Sequence, residues 1–128
     1  MTARYELYGI YLSGPAYKVA LMLSLAHEPF DYVHLNLRAG EHKTDAFRAK
    51  SKFGQVPLLV DHSNGQNVVQ SMVILDYLED AHPQPALLPA GALDRAQARL
   101  LGRIVDLYVM NSGGAFFRTL FAPSRAAA

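Results

Sequence analysis

The chain has no cysteine and no tryptophan among its 128 residues. Without a thiol it has no disulfide, no Cys-x-x-Cys redox pair, no thiolate zinc site and no cysteine nucleophile. An excess of one charge is missing too. Twelve basic against eleven acidic residues leave a formal net charge of +1, far short of the basic footprint that nucleic-acid binding draws on. No apolar run approaches the roughly 18–20 residues of a membrane span, and the opening MTARYELYG lacks the apolar stretch of a signal peptide. The expectation is a cytoplasmic protein with no nucleic-acid and no membrane partner. His27, His34, His62 and His82 are scattered without ligand spacing, so no metal site is expected.

What is present suffices to bury one sizeable core, with 51% hydrophobic and 18% charged residues. YELYGIY, Tyr5 to Tyr11, is short, aromatic and β-branched like a buried strand, and the turn signal LSGP follows it. Pro15 suits a first helical turn and Ser13 stands near the N-cap. Val19, Ala20, Met22, Leu23 and Ala26 recur at helical spacing until EPF stops them near His27. In FDYVHLNL, Val33, Leu35 and Leu37 alternate with Tyr32, His34 and Asn36, the period of a second strand. The polar stretch RAGEHKTDAFRAKSKFG offers Thr44 as N-cap of a short helix ending near Lys50.

VPLLV and NVV flank DHSNGQ, and Asn64-Gly65 between two apolar runs signals an antiparallel hairpin. Val56 to Val60 reads as a buried strand despite Pro57, a residue confined to strand starts, edges, bulges or a cis bond. Ser71 then caps a third helix with Met72, Ile74, Leu75 and Leu78 inward. Residues 1–81 thus form a first domain, and 82–91, HPQPALLPAG, a proline-rich linker. Residues 92–128 read as the first, incomplete part of a helical domain. Leu93, Ala96, Leu100, Ile104, Leu107 and Tyr108 share one helical stripe, after which the pattern thins out in SGGAFFRTLFAPSRAAA, whose phenylalanines need a covering surface. The order β-α-β-α-β-β-α fits a mixed four-stranded sheet of the thioredoxin-like α/β kind, since a helical crossover joins the first two strands and a tight turn the last two.

LYGIYLSGPAYKVALML, AGEHKTDAFRAKSKFGQVPLLVD and QSMVILDYLE resemble the N-terminal domain of bacterial glutathione S-transferases of the serine type. The likeness runs over roughly residues 5 to 110 and keeps the order and spacing of three motifs. It implies a thioredoxin-like domain that binds glutathione as co-substrate, a helical domain that supplies most of the pocket for an electrophilic small molecule, and a homodimer. Because the family's helical domain is about as long as its first, the chain is expected to be a fragment or a natural short form.

The resemblance assigns roles residue by residue, beside which ordinary readings stay open. Ser13 falls where the family keeps the hydroxyl that stabilises the glutathione thiolate; otherwise it is a plain N-cap. Val56-Pro57 falls at the family's cis-proline, where backbone pairs with the cysteinyl unit; otherwise it is a trans proline opening an edge strand. Gln70 and Ser71 match the pair that holds the γ-glutamyl group, or else form a helix cap with a polar neighbour. His42 and Lys43, with Lys52 as a third candidate, fall where a basic residue meets the glycine carboxylate, or else are solvated loop residues. Ala16 replaces a frequent second Ser or Cys, so cysteine-type redox chemistry is not available. The implied function is glutathione transfer, and the alternative is a non-catalytic glutathione-binding or dimerisation module.

Overall fold

The computed structural model describes residues 2–121. The chain divides into two compact units, with the break after Leu87. In the first unit β1 (Tyr5–Gly9), α1 (Gly14–Leu25) and β2 (Phe30–His34) form a β-α-β crossover. A 3-10 turn (Glu41–Lys43) and α2 (Asp45–Lys50) lead to the hairpin of β3 (Leu58–Asp61) and β4 (Gln66–Val69), and α3 (Ser71–Ala81) follows. The sheet order is β2-β1-β3-β4. β1 and β2 are parallel, and the other two pairings are antiparallel. This is the mixed, thioredoxin-like sheet expected from the order of elements.

Strand alternation divides the core between the two faces. Leu7 pairs with Leu59, and Tyr5, Leu7 and Leu59 pack with Val19 and Leu23 of α1 and Ile74 and Leu78 of α3. Tyr8 pairs with Leu58, and on the opposite face Leu58 and Val60 pack with Leu35 and with Phe47 of α2. β3 is buried along its whole length because both faces are covered. Each fully buried Leu or Ile contributes about 1.5–3 kcal/mol.

The strands are shorter than the patterns predict. β1 stops at Gly9, β3 begins only after Pro57, and β2 stops at His34. Leu35 still donates its amide to Gly9 at 2.9 Å. Asn36 then turns the chain: its amide donates to the Glu41 carboxylate at 2.7 Å, and its Oδ1 accepts from the Ala39 amide at 3.1 Å. The alternation persists to Leu37 because Leu35 and Leu37 both pack on the α2 side of the core. Thr44 caps α2 as expected, accepting from the Phe47 amide at 3.3 Å.

Asp61 closes the end of β3. Its side chain has no solvent exposure. Arg4 donates to it through Nε at 3.2 Å and a terminal nitrogen at 3.0 Å, the Ser63 amide and hydroxyl at 2.8 and 2.6 Å, and the Tyr77 hydroxyl at 2.7 Å. Burial alone would raise the Asp61 pKa, but the bonds from Arg4, Ser63 and Tyr77 outweigh it and hold the carboxyl well below the usual carboxylate range. His82, just past α3, makes a second tie. Its Nδ1 lies 3.0 Å from the Glu28 carboxylate, and its Nε2 lies 2.7 Å from the hydroxyl of fully buried Tyr5.

In the second unit, α4 (Ala92–Ile104) continues through a π-helical segment (Val105–Met110) into α5 (Asn111–Phe121). The helix therefore runs past the expected thinning point, through Gly113 and Gly114, each of which costs a helix interior about 1 kcal/mol. Residues 122–128, the end of that tail, lie outside the described residues. Leu93, Leu100, Ile104, Leu107 and Tyr108 of the apolar stripe are exposed among the described residues.

Two outcomes follow. Asp61 binds fewer protons in the native chain than in the unfolded one, so its contribution is complete above about pH 4, the ordinary carboxylate value, and is lost as pH falls toward the depressed native one. Asp61→Asn is expected to lower stability at neutral pH by about 1–3 kcal/mol and to flatten the fall in urea midpoint below about pH 4. An unchanged acid slope contradicts this account. At the other end of β1, a Cβ on Gly9 would lie 2.6 Å from the Tyr32 hydroxyl and 2.8 Å from the Ala16 Cβ. Gly9→Ala is therefore expected to cost about 1–3 kcal/mol, measured by thermal or urea unfolding.

Candidate functional site

Ser13 sits where β1 turns into α1. Its amide donates to the Ile10 carbonyl at 2.9 Å, and its Oγ accepts from the Ala16 amide at 3.1 Å. It is thus the N-cap of α1, with Pro15 in the first turn. Accepting that amide does not use the hydroxyl proton, so capping and donation to an outside anion are compatible roles for one side chain. Tyr11 steadies the loop from the sheet edge. Its ring stacks on Tyr32 (centroids 5.3 Å apart, 14° between planes) and on His34 (4.4 Å, 22°) of β2.

Val56-Pro57 is a cis peptide, and Pro57 is buried immediately before β3. The apparent fault in a strand is thus the bond that precedes one. Across β4, Gln70 has φ 73 and ψ 119, a region that a non-glycine residue enters at a cost. Gln70, not Ser71, is the N-cap of α3, which corrects the expectation that Ser71 caps the helix. The Gln70 carbonyl accepts from the Ile74 amide at 2.9 Å and no side chain caps the first turn, while Ser71 is the buried first helical residue. The α3 amides at this end are positioned for an anion. Gln70 Nε2 lies 3.4 Å from Gln55 Oε1. Sequence reasoning did not single out Gln55, whose only signal is its place directly before Val56-Pro57.

His42 and Lys43 lie in the 3-10 turn after β2. The turn packs on the loop ahead of Val56: a Cβ on Gly54, whose φ is +59, would lie 2.9 Å from the His42 carbonyl. His42 Nδ1 is buried without a hydrogen-bond partner. Burial, and then the charges of Lys43 and Arg48, lower the His42 pKa below the ordinary histidine value. His42 is consequently neutral at pH 7, and the positive charge of this turn belongs to exposed Lys43. Lys52 is exposed in the next loop.

Topology brings these groups to one end of the sheet. β1 and β2 run parallel and both end there, β3 begins there, and β4 ends there, since Tyr8 pairs with Leu58 and Leu58 with Val69. Ser13, Val56-Pro57, Gln70-Ser71 and the His42-Lys43 turn therefore all leave that edge. Chemically the arrangement offers a hydroxyl donor at one helix N-terminus, uncapped amides with a hydroxyl at another, two amide side chains and one cation. It suits a small extended molecule with more than one anionic group. Among the described residues, no cluster of His, Asp and Glu is arranged to hold a metal ion, and no helix is long and apolar enough to cross a membrane.

Residues 7–86 match the family model described as glutathione S-transferase, N-terminal domain. A maleylpyruvate isomerase from a Ralstonia species is 36% identical over 109 residues, 84% of this chain and 50% of that protein. A maleylacetoacetate isomerase from Pseudomonas aeruginosa is 38% identical over 103 residues, 78% of this chain and 48% of that protein. The solved structure of a glutathione transferase homologue from Drosophila mojavensis with bound glutathione superposes with TM-score 0.75 at 28% identity, covering 83% of this chain and 48% of that one. The chain spans about half the length of the curated relatives it matches. With the family model covering well over half of its residues and both relatives above 30% identity, the chain belongs to the glutathione S-transferase family.

Proposed function

We propose that this protein binds glutathione at the end of the sheet described above and holds its sulfur as a thiolate through the Ser13 hydroxyl, for attack on an electrophilic small molecule. The observation that carries the reading is the Ser13 geometry: a hydroxyl at the N-cap of α1 whose oxygen is engaged by Ala16 and whose proton is left for the sulfur. A free thiol titrates near pH 8.5. Lowering that by ~2 units takes ~2.7 kcal/mol, which one or two charge-assisted hydrogen bonds and the helix N-terminus supply. On this reading Ser13 is a donor and not a nucleophile. Val56 presents its backbone to the cysteinyl unit. Ser71 and the α3 amides take the γ-glutamyl carboxylate, Gln70 orients the γ-glutamyl amino group, and Lys43 faces the glycine carboxylate with His42 as a neutral neighbour.

The names of the relatives favour a particular use of the thiolate. Added to one carbon of an activated cis double bond, the sulfur leaves a single bond free to rotate. Its expulsion restores the double bond in the trans form and regenerates glutathione. As parts of the same proposal, the protein works in the cytoplasm and pairs as a homodimer, for which the exposed apolar stripe of α4 is the support. Divisions at residues 81 and 91 complete the proposed domain plan.

Ser13→Ala is expected to cut conjugation of 1-chloro-2,4-dinitrobenzene by about 10–100-fold and to return the pKa of bound glutathione toward about 8.5, followed by thiolate absorbance. Retained turnover with an unshifted pKa removes Ser13 from the role, while glutathione binding without turnover in a full-length protein favours the non-catalytic module. Lys43→Ala is expected to weaken glutathione binding about threefold to tenfold, less at high salt. Because the His42 pKa is lowered from the ordinary histidine value, His42→Ala is expected to leave the pH profile of binding between about pH 7 and 8 unchanged. Calorimetric titration reads both, and a His42-dependent inflection in that range contradicts the neutral assignment.

A further inference from the structure

The tip of the β3–β4 hairpin carries Asn64-Gly65, whose chemistry the site at the other end of the sheet does not use. Asn64 is exposed, yet its amide is held. Oδ1 accepts from the Gln66 amide at 2.9 Å, and Nδ2 donates to the Tyr77 hydroxyl at 3.0 Å. The Gly65 amide donates to the Asp61 carbonyl at 2.9 Å. Tyr77 commits its one hydroxyl proton to Asp61 at 2.7 Å, so Asn64 fills the remaining hydrogen-bonding capacity of that oxygen.

An asparagine followed by glycine is open to ring closure because glycine has no Cβ to obstruct the approach of its nitrogen. Apart from its two chain neighbours, a Cβ built on Gly65 meets nothing within 4 Å. In the reaction the Gly65 nitrogen gives its proton to a base in water and bonds to Asn64 Cγ. The Cγ–Nδ2 bond breaks and the nitrogen leaves as ammonia, taking its third proton from water. One water then opens the cyclic imide at either carbonyl, leaving aspartate or isoaspartate at position 64, with nothing oxidised or reduced. The other asparagines, Asn36, Asn67 and Asn111, precede Leu, Val and Ser, whose side chains hinder the same approach.

We propose that Asn64 is the site of spontaneous deamidation in this protein and that Tyr77 gates it, the amide reaching Gly65 only when the Asn64–Tyr77 hydrogen bond opens. The product damages the joint that restrained it. A carboxylate at 64 replaces a donor with an acceptor facing the Tyr77 oxygen, whose proton is already given to Asp61, and it adds a negative charge beside Asp61. The isoaspartyl form also lengthens the turn backbone between Asp61 and Gln66, which are paired in the sheet.

The full chain and a synthetic peptide of residues 61–67 are incubated side by side in mildly alkaline buffer, with conversion read by ammonia release and peptide mapping. The chain is expected to convert at Asn64 before any other asparagine, several-fold more slowly than the peptide. Tyr77→Phe, shown to be folded by circular dichroism, is expected to convert several-fold faster than the parent chain. Conversion first at another asparagine overturns the site. A parent rate equal to that of the peptide, or a folded Tyr77→Phe at the parent rate, overturns the gate. Should Tyr77→Phe not fold, the peptide comparison decides, together with Asn64→Asp, expected to unfold at a lower temperature than the parent at neutral pH and to approach it in acid. Equal midpoints at neutral pH overturn the coupling to Tyr77 and Asp61.

Discussion

A carboxylate taken out of water must be matched by donors, and in this fold that requirement organises the end of the sheet remote from the site. An isolated buried carboxylate costs several kcal/mol. Asp61 meets the cost with five hydrogen bonds drawn from Arg4 ahead of β1, Ser63 in the hairpin turn and Tyr77 on α3. Three separate pieces of chain are thereby held against β3, whose apolar residues then have both faces covered. The hydrophobic clusters supply most of the driving force. The charge adds a directional requirement to that packing, because Asp61 has to meet its donors on Arg4, Ser63 and Tyr77.

The opposite end of the sheet has the complementary character: loops instead of buried charge. A parallel pair next to an antiparallel one brings the ends of β1, β2 and β4 together with the start of β3. A ligand lying across that edge meets side chains far apart in sequence, held by backbone geometry more than by one another. The φ of Gln70, the cis bond at Val56-Pro57 and the Ser13 cap are local conformations found at this end. The fold places α1 and α3 with their N-termini at this edge, and the chemistry proposed for the site uses both.

Most of the architecture was legible in the sequence because its signals are local and agree with one another. The Asn64-Gly65 turn, the Ser13 and Thr44 caps and the spacing of Val19 and Leu23 each point to the element that forms. What failed did so for equally definite reasons. Leu35 and Leu37 continue a period-two pattern beyond β2 because these two residues, on either side of Asn36, still face the same core, so periodicity reported burial and not sheet pairing. Ser71 has the composition of a cap, but the cap is set by the backbone of Gln70, a conformation that residue type does not announce. Gly113 and Gly114 lower helix propensity without ending the helix. The lowered pKa of His42 depends on burial first and then on the charges of Lys43 and Arg48, and both the burial and the approach of Arg48 need three dimensions. Gln55 carries no signal in a lone sequence beyond its place directly before Val56-Pro57.

The tie between Tyr5 and His82 bears on the order in which the chain acquires its structure. These partners stand 77 positions apart and Arg4 and Asp61 stand 57 apart, and contacts of such separation are slow to form because the intervening loop must close first. β1 is synthesised before these partners and lies in the middle of the sheet, yet its hydroxyl and its flanking guanidinium find them only after the hairpin and the last helix of the unit exist. Because synthesis runs from the N-terminus, these two ties at the start of β1 are therefore among the last contacts of the first unit that can form.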